Sequence, residues 1–189
     1  MLTLDDIDQM TRDYDTGWGY AHVQRVLRLA NQISEGITHD RDVLTWATYL
    51  HDWGAFPVFA QAGMPHTVCS CQIADRDILP RSHFTNPQKV ILLEAIEKHD
   101  YQDDRSVDST EALILREADY LDMLGAIGIV REFAWGPNNL QVCYDRILKH
   151  RARIQSRFIL PIAREIAAQR IASMNIILEQ ILLDSFGEL

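Results

Sequence analysis

Four side chains in this sequence have types and spacings suited to metal chemistry: His22, the adjacent pair His51 and Asp52, and the distant Asp119. The pair closes the stretch "TWATYLHDW" at 45–53, where an apolar run ends in two ionisable groups. Burying a charge without a partner is expensive, so such a pair is exposed, mutually satisfied, or compensated by something such as a metal ion. Two imidazole nitrogens and two carboxylates form a mixed N/O donor set of the kind that holds divalent transition metals. Such an ion lowers the pKa of its bound water from about 15.7 to about 7 and polarises a phosphoryl oxygen.

Helices must position these groups. Apolar residues recur at three and four, while alternating β-branched runs and Asn-Gly or Asp-Gly hairpin signals are missing, so the pattern predicts an all-α protein. Helices are expected near 3–12, 19–35, 40–52, 67–79, 87–99, 109–124, 126–134, 139–157 and 160–185. Gly36, Gly54 with Pro57, and Pro80 punctuate their ends; Asn86-Pro87 and Ser109 or Thr110 mark starts. On the second helix His22 shares a stripe with Val26, Leu29 and Ile33, so it faces inward. On the third, Leu44, Ala47 or Thr48, and His51 share a face, and Asp52 lies about 100° further round, close enough to converge with His51. Asp119 stands one turn from both Leu115 and Met123, which turns a carboxylate toward the core. His99 ends the stripe of Leu92, Ala95 and Ile96. His66 follows Pro65 at the start of a helix, where free backbone amides favour an anion.

Composition narrows the function classes. The 18 basic and 27 acidic residues leave a formal charge of −9, the wrong sign for a general nucleic-acid binder, and an anionic substrate then needs local cations. No apolar run approaches the roughly 20 residues of a membrane span, and "MLTLDDIDQM" does not read as a signal peptide, so no membrane partner and a cytoplasmic location are expected. Cys69, Cys71 and Cys143 are odd in number and lack paired CxxC spacing, which predicts ordinary reduced thiols. No linker or repeat divides the chain, so one domain over 1–189 is expected. The apolar stripe Ile162, Ile166, Ala167, Ile171, Met174, Ile177, Leu178, Ile181 and Leu182 predicts a C-terminal helix that packs on the domain or on a second copy, giving a homodimer.

The order of these residues resembles the HD-domain superfamily of metal-dependent phosphohydrolases, whose signature is a histidine, a His-Asp doublet and a distant aspartate on a helical scaffold. His22 lies in "HVQRV", His51-Asp52 form the doublet, and Asp119 lies in "EADYLDMLGAIGIVREF", which is similar to the last-aspartate segment of a bacterial subgroup containing nucleotide pyrophosphohydrolase-like proteins. The resemblance covers roughly 15–135, with an extension at about 138–187. It implies a single helical HD bundle with additional C-terminal helices, and a metal set of His22, His51, Asp52 and Asp119. His66 and His99 match positions where HD enzymes with a fuller ligand set carry histidines, which implies one or two ions per chain. Two positions depart from the pattern: Tyr120 stands where the subgroup has arginine, and Trp53-Gly54-Ala55-Phe56 follows the doublet in place of a charged residue.

The implied activity is metal-dependent hydrolysis of a phosphorylated small molecule, a nucleoside triphosphate or related nucleotide, with a metal-held hydroxide as nucleophile. Manganese is the first choice of ion, with Fe²⁺, Co²⁺, Ni²⁺, Zn²⁺ or Mg²⁺ as alternatives. Asp52, His66 and His99 are the candidate catalytic groups for proton transfer, and Arg25, Lys98 and Arg116 the candidate phosphate binders. Two rivals stand beside this reading: a di-iron HD-fold oxygenase using the fuller histidine set, and a metal-dependent nucleotide-binding module without turnover.

Overall fold

The computed structural model describes residues 1–189 and contains nine α-helices and no strands. They are α1 (Leu4–Tyr14), α2 (Gly19–Ile33), α3 (Arg41–Leu50), α4 (His66–Ile73), α5 (Asn86–Glu97), α6 (Thr110–Asp122), α7 (Gly125–Trp135), α8 (Leu140–Ile154) and α9 (Pro161–Asp184). All nine expected helices are present. The fourth differs most: α4 ends at Ile73, and the chain continues as a π-helical turn at Ala74–Ile78 and a 3-10 turn at Leu79–Arg81. Pro80 has no N–H to continue an α-helical ladder, which is a sufficient reason for the change of pitch. The start of α5 is also shifted. Thr85, not Asn86, caps it, with its backbone N–H donating to Gln88 Oε1 at 2.9 Å, so Pro87 sits inside the first turn.

The chain divides into two compact units, Met1–Asp119 and Tyr120–Leu189, with α6 running through the division. The first unit is built on α3, whose Val43, Leu44, Trp46, Ala47, Thr48 and Leu50 are all buried. It packs against α1, α2 and α5. Trp53, fully buried just beyond α3, donates its indole N–H to Thr11 Oγ1 at 3.1 Å, and Thr11 in turn donates to Ile7 O at 2.7 Å. This chain ties α1 to the end of α3. The aromatic residues flanking the doublet are core: Phe56 is buried and Trp53 stacks on Phe59 at 5.9 Å.

In the second unit α9 packs against α7, and α7 against α8. Ala163, Ala167, Met174 and Leu178 form the buried stripe of α9. Contrary to the sequence expectation, this helix is long and apolar enough by length and composition to cross a membrane. Arg164-Glu165, Arg170 and Glu179 interrupt it, which conceals it from a search for unbroken apolar runs, and Arg170 donates to Leu121 O at 2.6 Å. The three cysteines are free thiols.

Candidate metal centre

Each site residue reaches the first unit's interior by a local device. Asp15 Oδ1 accepts the backbone N–H groups of Gly17, Trp18 and Gly19 and so fixes the entry to α2. His22 follows one turn later, 1% exposed, on the stripe completed by Val26, Leu29 and Ile33. His51 caps the C-terminus of α3, and Asp52 begins the 3-10 turn Trp53–Ala55. That turn presses on α4, where the Gly54 N–H donates to Ser70 Oγ at 2.8 Å. A methyl group at Gly54 would meet His66 O at 2.2 Å, so the close approach requires glycine. His66 opens α4, His99 lies two residues beyond α5, and Asp119 lies on α6.

These six residues converge. His22 Nε2 lies 3.1 Å from His51 Nε2 and 3.3 Å from Asp119 Oδ1. Asp52 presents one oxygen to each half of the cluster. Its Oδ2 lies 3.4 Å from His22 Nε2 and 3.5 Å from His51 Nε2, while its Oδ1 lies 3.3 Å from His66 Nε2 and 3.4 Å from His99 Nε2. The His66 and His99 Nε2 atoms are 3.3 Å apart. Donor atoms on one ion with bonds of about 2.1 Å stand about 3.0 Å apart in cis-octahedral and about 3.4 Å apart in tetrahedral coordination, and the cluster's spacings of 3.1–3.5 Å lie in or within about 0.1 Å of that range.

The tautomers add an independent test of fit. His51 Nδ1 lies 2.7 Å from Thr48 O and His99 Nδ1 lies 2.7 Å from Ile96 O. A carbonyl only accepts, so each Nδ1 donates, and in the neutral imidazole each Nε2 is then a bare lone pair. Both bare nitrogens face carboxylate oxygens of Asp52. Acceptors aimed at acceptors in a buried setting need a proton or a metal ion between them, and neutral imidazoles with carboxylates are the donors a divalent metal takes.

Without an ion, burial and the attraction between imidazole and carboxylate compete at these groups. Burial pushes the His51 imidazole down to about 4, which keeps it neutral. For Asp52, burial works upward, but the neighbouring imidazoles of His51, His22 and His99 hold the carboxyl well below the usual range. Burial also works against ionised Asp119, and His22 outweighs it, so that carboxyl is lowered too. His99 is raised: burial pulls down, and Asp52 pushes up by more.

The residues expected to bind phosphate are placed differently from one another. Lys98 pairs with Glu94 at 2.9 Å and donates to Ser106 O at 2.9 Å. Arg116 is buried and donates to Lys98 O at 2.6 Å and Arg105 O at 2.9 Å. Both therefore brace the segment that carries His99. Arg25 is half-buried on α2, three residues past His22. A cavity of about 520 Å³ borders the cluster through His66 and Asp100, with Glu97, Asp103, Asp104 and Arg105 on its wall. Arg105 is neutralised there by Asp103 at 2.6 Å and Glu97 at 2.7 Å. The larger cavity, about 740 Å³, lies along Val90, Ile91 and Glu94 of α5 and the start of α6.

One residue escaped the sequence reading. Asp100 Oδ2 lies 3.6 Å from His66 Nε2. Its signal was present: His99-Asp100 repeats the arrangement of His51-Asp52, a histidine past the end of an apolar helix followed by aspartate.

A helical cluster of histidines and aspartates in this order defines a class, and the chain belongs to it: residues 19–124, which include all six cluster residues, match the HD domain family. Solved structures share the fold. Bacillus subtilis YpgQ is 22% identical, with a TM-score of 0.74 over 96% of this chain and 94% of that one. The same protein in complex with ADP aligns at 23% identity with a TM-score of 0.74 over 96% and 94%. A protein from an uncultured Thermotogales bacterium, described as a predicted HD superfamily hydrolase, is 24% identical, with a TM-score of 0.70 over 96% and 92%. No curated protein matches the chain.

Proposed function

We propose that this protein is a metal-dependent phosphohydrolase that cleaves a phosphate or pyrophosphate linkage of a nucleotide. The observation that carries the reading is Asp52, whose two oxygens each face a separate pair of histidine nitrogens. His22, His51, Asp52 and Asp119 would hold one divalent ion, manganese first, and His66 and His99 with Asp52 a second. Bound there, the metal supplies Lewis acidity toward a phosphoryl oxygen and makes hydroxide accessible near neutral pH. Asp119 and Asp52 orient the attacking water and take its proton. With only one ion held, His66, whose side chain is 31% exposed and borders the cavity, would instead donate a proton to the leaving oxygen. The acidic wall of that cavity and the engagement of Lys98, Arg105 and Arg116 leave charge compensation of a phosphate to the metal. Nucleotide as substrate class is supported by the ADP complex of YpgQ.

The test is release of phosphate and pyrophosphate from nucleoside mono-, di- and triphosphates, with Mn²⁺ and with chelator. Chelator-sensitive release is expected. Tight nucleotide binding without release would indicate a binding module instead. The second histidine pair also favours one rival, a di-iron oxygenase, which predicts two irons per chain, oxygen consumption and no phosphate release.

A further inference from the structure

Asp100 has the geometry of a donor to the open half of the cluster. Its Oδ1 accepts the Gln102 backbone N–H at 2.6 Å, so the turn fixes that oxygen, and Oδ2 faces His66 Nε2 at 3.6 Å. His66 and His99 are in turn within 3.4 Å of Asp52 Oδ1. The two halves differ in access. The side chains of His22 and His51 are 1% and 0% exposed, whereas those of His66 and Asp100 are 31% and 18% exposed and border the 520 Å³ cavity. Charge points the same way. Two divalent ions would bring four positive charges against the two carboxylates of Asp52 and Asp119, and a third carboxylate at the open half offsets part of the excess.

We propose that Asp100 is an additional ligand of the second ion, beside Asp52 Oδ1, His66 and His99, and that its carboxylate sets how tightly that more exposed position holds its ion. This rests on the metal-dependent reading above. The inner position is the less exposed of the two, with Asp119 at 12% its most open ligand after the shared Asp52, and the outer one opens to the cavity, so the two ions should differ in affinity, with Asp100 setting that of the outer one.

The test is a titration of the full chain, stripped by chelator, with Mn²⁺ alone, followed by the electron paramagnetic resonance signal of the free ion. The wild type should show a tight class and a weaker class of site. Asp100→Asn keeps the oxygen that accepts the Gln102 N–H and replaces the one facing His66. It should weaken only the weaker class, by about 10- to 100-fold, with the far-ultraviolet circular dichroism unchanged. His66→Ala should weaken the same class. An unaffected weaker class in Asp100→Asn, a loss spread equally over both classes, or a wild type that saturates at one ion would overturn the assignment of Asp100 and leave the single-ion reading standing. A wild type that binds no Mn²⁺ removes both.

Discussion

Gly54→Ala tests whether the close approach between the doublet and α4 is what positions His66. Gly54 has no left-handed backbone angle, so on chain entropy alone alanine there would stabilise the protein by about 0.4–1 kcal/mol. The surroundings reverse the sign. The added methyl would lie 2.2 Å from His66 O, 2.6 Å from Ser70 N and 2.7 Å from Cys69 Cβ. Two of the three are backbone atoms, which no rotamer change can move, so α4 must retreat. Overpacking of this kind costs about 1–3 kcal/mol. Retreat also stretches the buried Gly54 N–H bond to Ser70 Oγ, now 2.8 Å, at about 1–3 kcal/mol if it breaks. Net of the entropy gain, a total of about 1–6 kcal/mol corresponds to a fall in Tm of about 2–24 °C for a chain of this size. Calorimetry of the metal-free protein reads the stability, and Mn²⁺ titration reads the displacement of His66. An unchanged or raised Tm with unchanged Mn²⁺ binding refutes the argument.

Two further predictions concern the scaffold. Burial pushes the Glu94 carboxyl up, but Lys98 and the N–H groups of Asp108 and Ser109 outweigh burial and hold it at about 2. Because the folded pKa lies below the unfolded value of 4.5, its contribution is present above pH 4.5 and is lost as pH falls toward 2. The stability gap between wild type and Glu94→Gln, at most about 3 kcal/mol, should therefore be flat above pH 4.5 and close below it in urea denaturation; a gap that widens on acidification contradicts this. Thr11→Val leaves the buried Trp53 indole N–H without its acceptor and should cost about 1–3 kcal/mol, checked by the same assay, whereas Thr45→Val at an exposed position on α3 should cost less.

How much could be read without the structure depended on the range of each interaction. His22 with Val26, Leu29 and Ile33 and Asp119 with Leu115 and Met123 are patterns within one helix, and helical periodicity alone turned them inward. The convergence of His51 and Asp52 was legible because both sit within one turn. The meeting of His66 with His99 was not, because it depends on how α4 packs against α5, and only family resemblance suggested it. The contacts of Arg116 and Lys98 were not legible for a related reason: the carbonyls of Lys98 and Arg105 that Arg116 reaches are 18 and 11 residues away, and side-chain type does not encode which acceptor lies within range. Asp100 went unread beside His99 although the doublet was in plain view, because its turn places one oxygen on Gln102 and turns the other to His66, a matter of loop conformation.

The central claim is that His22, His51, Asp52 and Asp119 hold a divalent ion. Elemental analysis of the wild-type chain and of Asp52→Ala, after identical loading with Mn²⁺ and desalting, tests it most directly. At least one ion per chain is expected in the wild type and a near-complete loss in Asp52→Ala, with helical content retained. Equal metal content in the two proteins, or none in either, contradicts it.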